Sequence, residues 1–371
     1  VILARKVRLF PTSEQEQQLC KSAGTKRWAY NWALSKQQEN YKSGGKFISD
    51  GELRKELTQL KKTEELQWLN EVSNNVTKQA IKDACNAYMR FFKKQSGFPK
   101  FKSKKHETPS FYNDNIKLKV KKNSVLLEKV GWVKIKEKIP MDCKYTRPTV
   151  SFDGKYWYLS VGIEQQTKNN ELTKEVVGID VGIKDLAVCS NGMVFKNINK
   201  TKTVKKTEKK LRMLQRKVSN KYEKNKKGVC YHKTSNIVKL EKQIRLVHRK
   251  LNGVRKNYLH QATNQIVKTK PSKVVMETLN IQGMMKNKHL SKAIQKQNLC
   301  EFKRQMKYKC EFNGIEFIEA DKWYPSSKTC SECGCIKGKL LLSERTYVCE
   351  ECGCIIDRDL NAAINLSRYS A

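Results

Sequence analysis

Val176-Val177-Gly178-Ile179-Asp180-Val181-Gly182 is the stretch on which the reading of this chain turns. A short apolar run from Val176 to Ile179 ends in an aspartate, and a glycine follows. The hairpin signal Ser190-Asn191-Gly192 then lies between Asp185 to Cys189 and Met193 to Phe195. Apolar runs bounded by turn residues are buried strands, and Asn-Gly between them marks a tight turn. Val274-Val275-Met276-Glu277 repeats the pattern of an apolar strand closed by an acid. A third acid sits where Asp357-Arg358-Asp359 opens a helical stretch running from Leu360 to Leu366, and either aspartate could cap that helix. Acids at the carboxyl ends of neighbouring strands, with one more at a helix start, can converge on a point. Left bare, three carboxylates repel one another and take up protons. Two Mg ions would offset this, one activating water and the other stabilising the leaving oxygen of an in-line phosphodiester displacement. Singly each acid is a common turn or cap residue. The order strand-Asp, hairpin, helices, strand-Glu, cysteine ribbon, Asp-helix carries the joint reading.

The ribbon is the second strong signal. Cys330-x-x-Cys333 and Cys349-x-x-Cys352 are separated by fifteen residues, and Gly334 and Gly353 follow the two pairs. Two such turns place four sulfurs tetrahedrally about 2.3 Å from one Zn. With sulfur at all four positions no water site remains, so this zinc is expected to be structural. Cys335 and Cys354 are second-choice ligands.

The 371 residues carry 76 Lys+Arg against 36 Asp+Glu, a formal charge of +40. Such an excess calls for a polyanion, and roughly 20 base pairs of duplex would supply about 40 phosphates. Residues 200–233 hold fourteen Lys/Arg against two Glu, which reads as a solvated or phosphate-contacting face. No run reaches a membrane span of about 20 apolar residues, and Val1 to Ala33 lacks the hydrophobic segment of a signal peptide. Six of the 13 cysteines fall between 330 and 354 and the rest are scattered, which excludes a disulfide scaffold and fits a reducing cytoplasm.

Lys6-Val7-Arg8-Leu9-Phe10 reads as a strand, and Ser13 with Glu16 as a capping box opening a helical segment to about residue 95. Trp28, Trp32, Trp68, Leu69, Tyr88, Phe91 and Phe92 are its expected core anchors. A basic loop from Gly97 to Lys105 follows. From 108 to 165 the period is two, with Ile116, Leu118 and Val120 alternating with lysines, and Asp153-Gly154 a hairpin turn. This predicts a small barrel completed by the strand at 6–10, with the helices inserted. Ile237, Leu240, Ile244, Val247, Leu251, Val254 and Tyr258 recur at spacings of 3 and 4, facing Leu211, Leu214 and Val218 in a helical hairpin.

These residues together resemble TnpB, the RNA-guided nuclease family of insertion-sequence transposons related to type V CRISPR effectors. The resemblance runs end to end. It rests on Arg8-Leu9-Phe10-Pro11-Thr12, Arg27-Trp28-Ala29-Tyr30-Asn31-Trp32, Gly97-Phe98-Pro99-Lys100-Phe101-Lys102, the Gly178 to Gly182 block and Met276-Glu277-Thr278-Leu279-Asn280. Most specific are Trp323-Tyr324-Pro325-Ser326-Ser327-Lys328-Thr329-Cys330 and Asp357-Arg358-Asp359-Leu360-Asn361-Ala362-Ala363. It implies a bilobed α+β protein. A wedge β-barrel (1–12 and 107–170) would carry an inserted helical recognition domain (13–106). A RuvC-like RNase H fold nuclease (171–322 and 356–371, with a helical hairpin at 203–268) would be interrupted by a zinc ribbon (323–355). The resemblance puts the three carboxylates and the Mg on Asp180, Glu277 and Asp359, choosing Asp359 over Asp357.

It further implies a guide RNA derived from the transposon end, a short motif read beside the DNA target, and cleavage of both strands at one site. The place of action would be the bacterial cytoplasm, at the nucleoid. Arg27, Tyr30, Asn31, Phe98, Lys100, Lys102, Lys104 and Lys105 are the candidate nucleic-acid contacts, the aromatics by stacking. The rivals are an RNase H-like transposase, an RNA-guided repressor that does not cut, and a basic RNA-binding protein. The chain starts at Val1 without Met and runs twelve residues past Asp359, so a trimmed or alternative start and no long tail are expected.

Overall fold

The computed structural model describes residues 1–141, 143–168, 170–341 and 344–369. It divides into two compact units at Gln165/Gln166. The first unit contains β1 (Ile2–Phe10), α1 (Ser13–Lys42), α2 (Asp50–Leu60), a 3₁₀ segment (Glu64–Glu71) and α3 (Asn74–Phe92). It continues with β2 (Ser110–Tyr112), β3 (Lys119–Lys121), β4 (Ser124–Leu127), β5 (Gly131–Ile135), β6 (Tyr145–Phe152) and β7 (Trp157–Glu164). The strands form one antiparallel sheet in the order β2-β6-β7-β1-β5-β4-β3. β1 pairs with β7 from Ile2 to Arg8 and passes to β5 at Leu9 and Phe10, which bends the sheet onto itself. Strands from both ends of that order then share one core, with Phe111 and Val150 beside Val125, Leu127 and Val133. Leu19 and Ala23 of α1 and Val76 of α3 plug it. This is the expected barrel with its helices inserted after the first strand.

A second core, Ala33, Leu34, Leu53, Leu57, Leu69, Ile81 and Ala84, holds the helices together. The helix opening differs from expectation by one residue. Thr12 is the N-cap and Gln15 completes the capping box, because Thr12 keeps the extended backbone after Pro11 and so frees its hydroxyl for the Gln15 N–H. Leu69 and Tyr88 are buried as expected, whereas Trp68 and Phe92 are exposed, Trp68 packing edge-on against Trp28. Ile116 is 82% exposed, since Asp114 turns the chain by accepting the Ile116 N–H and ends the alternation read there as strand.

The second unit contains β8 (Val176–Val181), β9 (Asp185–Cys189), β10 (Val194–Lys196) and α4 (Lys202–Lys224). After β11 (Lys226–Lys227) and β12 (Cys230–Tyr231) come α5 (Ser235–Lys268), β13 (Lys273–Glu277), α6 (Ile281–Met285), α7 (Ser291–Gln297), α8 (Leu299–Asn313) and β14 (Glu316–Ala320). β15 (Thr346–Val348), β16 (Ile355–Asp357) and α9 (Arg358–Ser367) complete it. The main sheet runs β10-β9-β8-β13-β14, antiparallel across the first three strands and parallel from β8 through β13 to β14. That order and polarity are RNase H topology. α5 and α8 cover one face through Leu259, Ile266, Phe302 and Met306, and α9 covers the other through Leu366 on Val275 and Ala320. Burial on both faces explains why these strands read as continuous apolar runs. α4 and α5 pair along Leu214, Val247 and Leu251 as the spacing predicted. No helix among the described residues is long and apolar enough to cross a membrane.

Candidate active site and cysteine cluster

The parallel ladder sets Met276 opposite Ile179, so the next residues along the two strands, Glu277 and Asp180, lie side by side at the carboxyl end of the sheet. Asp359 arrives from the other direction, in the first turn of α9. Gly178 allows that helix to come close. A Cβ there would strike the Ala363 carbonyl oxygen and the Ser367 nitrogen and lie 2.9 Å from the Leu366 carbonyl carbon, so any side chain would push α9 off the strand.

Burial, then the charges of Asp359 and Glu277, push the Asp180 carboxyl up to about 7, with Arg358 opposing and Asp357 adding to the rise. Burial alone raises Glu277. Among the described residues only the four cysteines bring three or more ligand atoms within 4.8 Å of one another, so the acids are neighbours without being drawn into such a cluster. Repulsion between uncompensated carboxylates accounts for the looser spacing, and this donor set suits a hard divalent cation.

Asp357 has another task. Its Oδ1 accepts from the Asp359 and Leu360 N–H groups at 3.0 and 3.2 Å, capping α9, and Lys184 Nζ lies 4.0 Å from Oδ2. Of the two aspartates that could have capped this helix, Asp357 is the one that does. Beside Glu277 opens a cavity of about 510 Å³ between the end of β13, α6 and α8, with Lys303, Arg304 and Lys307 on its wall. Lys303 is held by Glu319 and Arg304 by Glu301, and Lys307 is exposed.

Cys330, Cys333, Cys349 and Cys352 form the cluster, with Cys330 and Cys352 sulfurs 3.6 Å apart and Cys333 and Cys349 likewise. Four sulfurs about 2.3 Å from a tetrahedral centre would be separated by about 3.8 Å. The two knuckles are built alike. Cys330 N–H donates to the Cys335 carbonyl and Gly334 N–H to the Cys330 carbonyl, and Cys349, Cys354 and Gly353 repeat the pattern. Gly334 and Gly353 take φ of +77° and +71°, which explains a glycine after each pair. Cys335 and Cys354 therefore serve the knuckles through their carbonyls, and their thiols lie outside the cluster.

Two asparagines that sequence reading passed over join this ribbon to α9. Asn361 accepts from Ser331 N–H and donates to the Thr329 carbonyl, and Asn365 donates to the Ser326 and Thr329 carbonyls. Both are buried. Polar residues four apart on the apolar face of a helix were the available signal.

The expected nucleic-acid residues separate into two groups. Asn31 clamps the backbone of Lys102, donating to its carbonyl and accepting its N–H, both at 2.8 Å. Tyr30 is 6% exposed and lies beneath Lys102, whose Nζ is 3.6 Å from the ring centroid. These three anchor the loop. Phe98, Lys100, Lys104 and Lys105 are exposed, Phe98 standing edge-on to Tyr88 and Phe91, while Arg27 is half-buried.

The topology is that of an RNase H-type fold joined to a four-cysteine ribbon. Three family models match in succession: an OrfB helix-turn-helix domain over residues 1–46, the IS605 OrfB "Probable transposase" over 159–288, and a "Cas12f1-like, TNB domain" over 300–366. Residues 1–46 here form a strand and one long helix rather than a helix-turn-helix. A curated relative from Streptomyces pristinaespiralis, named "Putative RNA-guided DNA endonuclease", is 32% identical over 98% of this chain and 88% of its own length. InsQ of Escherichia coli K12, of the same description, is 29% identical over 98% and 91%. Among solved structures, Cas12f1 in complex with sgRNA and target DNA superposes with a TM-score of 0.58 at 17% identity, covering 96% of this chain and 82% of that one. The mini RNA-guided endonuclease CasΦ-3 gives 0.52 at 10%, covering 99% and 92%, so both support the fold. The chain belongs to the TnpB family of RNA-guided DNA endonucleases.

Proposed function

We propose that this protein cuts DNA under the direction of a bound guide RNA, hydrolysing phosphodiesters at one carboxylate site formed by Asp180, Glu277 and Asp359. The observation that carries the site is the register of β8 against β13, with Asp180 held up to about 7 first by burial and then by its acidic neighbours. Two aligned strand ends and a capped helix turn hold the three carboxylates, and Asp357 and Gly178 fix the angle of that helix. Asp180, Glu277 and Asp359 would hold magnesium, which would neutralise their charge and, by easing loss of a proton from water, make that water a stronger nucleophile toward phosphorus. The wall formed by Lys303, Arg304 and Lys307 draws the scissile strand toward Glu277.

The four cysteines hold a structural zinc, which keeps Asp359 positioned through Asn361 and Asn365. Guide and target pair in a channel where the protein meets phosphates and duplex shape. The barrel and the helical segment 13–106 form the recognition part, with the exposed residues Phe98, Lys100, Lys104 and Lys105 in contact with nucleic acid. The target places the protein at the bacterial nucleoid.

The test uses the full chain loaded with its copurifying RNA, a plasmid matching that RNA beside a randomised flank, and Mg. Cutting is expected only with RNA and Mg together. Asp180→Ala should retain guide and target binding and lose at least about 10³-fold in cleavage rate. Joining of transposon ends without RNA would instead identify a transposase.

A further inference from the structure

A cavity of about 310 Å³ lies in the first unit between the end of α2 and the start of α3. Arg54, Lys61, Lys62 and Lys78 line it together with Asn74 and Thr77, and no acid does. This is not a by-product of the chain's overall charge, because residues 50–81 contain five Lys/Arg and six Asp/Glu. The cations have been gathered onto one wall of a segment that is locally acidic.

Lys61 is the telling residue. It is 8% exposed, and its Nζ donates to Asn74 Oδ1 at 2.7 Å and Thr77 Oγ1 at 3.1 Å. Both acceptors are neutral, and an ammonium has three protons to donate. A buried cation without a counter-ion is costly, and its retention beside an open cavity marks a place for an anion. The nearby acids are engaged elsewhere. Asp50 pairs with Arg54, and Glu128 accepts from Ser73 Oγ and Asn75 Nδ2. Lys62 and Lys78 are exposed on the rim, and Asn74, having turned its oxygen to Lys61, leaves its NH₂ as a further donor.

The geometry points to a phosphate subsite here: the cavity takes a phosphodiester group of a bound nucleic-acid strand, with Lys61 beneath it and Lys62 and Lys78 from the rim. The cavity is larger than a lone phosphate and accommodates the adjoining sugar. The inference rests on the guide- and target-binding function proposed above, and the strand is that of the guide RNA or that of the target DNA.

Two binding steps separate those sources. The first is the affinity of the RNA-free full chain for its recovered, end-labelled RNA. The second is the affinity of the RNA-loaded Asp180→Ala chain for a matching DNA duplex. Each is measured over a series of salt concentrations for wild type, Lys62→Ala/Lys78→Ala and Lys61→Met. The expected result is a loss on the order of tenfold in one step, with the slope of log affinity against log salt shallower by about one to two. Lys62→Arg/Lys78→Arg should retain affinity. Loss in the RNA step assigns the phosphate to the guide, and loss in the DNA step assigns it to the target. Should Lys61→Met fail to fold, the exposed double variant decides alone. Unchanged affinity and slope in both steps overturn the subsite while leaving the nuclease intact, whereas a wild-type chain that binds neither RNA nor DNA overturns both.

Discussion

Asp180 holds its proton to about pH 7 in the metal-free chain, first through burial and then through Asp359 and Glu277. Because the folded value lies above the ordinary 3.8, the folded state binds this proton more tightly than the unfolded one. The resulting stability is complete below about pH 4 and is lost as pH rises through about 7. The loss is at most about 4 kcal/mol. Asp180→Asn is therefore expected to melt above wild type at about pH 8 in chelator and level with it near pH 3.5. Mg should raise the melting temperature of wild type and not of the variant; equal melting under the alkaline condition would dismiss the raised Asp180 carboxyl. At the start of α9 the proposed roles of the two aspartates predict different outcomes. Asp357→Ser keeps a capping oxygen and should retain most cleavage, and Asp357→Ala should cost about 1 kcal/mol of stability. Asp359→Asn should abolish cleavage with normal melting, and the reverse pattern would exchange the two assignments.

At the scale of elements, the ribbon and α9 behave as one device. β16 runs directly into Asp357, the cap of α9, and Asn361 and Asn365 tie the helix to the first cysteine knuckle. Removing the metal or substituting Cys330→Ser should loosen that knuckle and release Asp359 from its place. A chelator with high affinity for zinc, followed by excess Mg, is expected to leave RNA binding nearly unchanged and lower cleavage at least about tenfold, with zinc restoring it. Cleavage that persists after zinc is shown to be gone would reduce the ribbon to a bystander. The helical insertion shows the same economy of long-range ties, since Asn31 on α1 fixes the loop at Lys102 through two backbone hydrogen bonds.

Across the whole molecule, the charge of +40 governs how the protein meets nucleic acid. Cations spread along a nucleic acid release its counterions, so affinity must fall steeply with salt. If six to ten phosphates are contacted, RNA affinity should drop roughly 10³- to 10⁵-fold between about 50 and 200 mM salt. Filter binding over that range checks this, and a flat profile would mean that recognition is carried by uncharged contacts. The fourteen basic residues at 200–233 lie mostly on α4, exposed along a helix whose apolar stripe faces α5, so charge-reversing substitutions there are expected to make that profile flatter.

The features legible in the chain alone are those that follow from short-range rules. The cysteine knuckles are set by x-x spacing and a glycine that must take positive φ, the strands of the nuclease sheet by unbroken apolar runs, and the hairpin of α4 and α5 by a stripe of period 3.6. Which neighbours those elements meet was settled only on packing. Only the β8–β13 register places Asp180 beside Glu277, ninety-seven residues away in the chain. Only the packed helices reveal that Tyr30 is covered by Lys102, that Trp68 is exposed, and that Lys61 is buried without an acid. Propensity and periodicity act within one or two turns of chain, whereas burial and charge compensation are set by residues the chain brings back from far away.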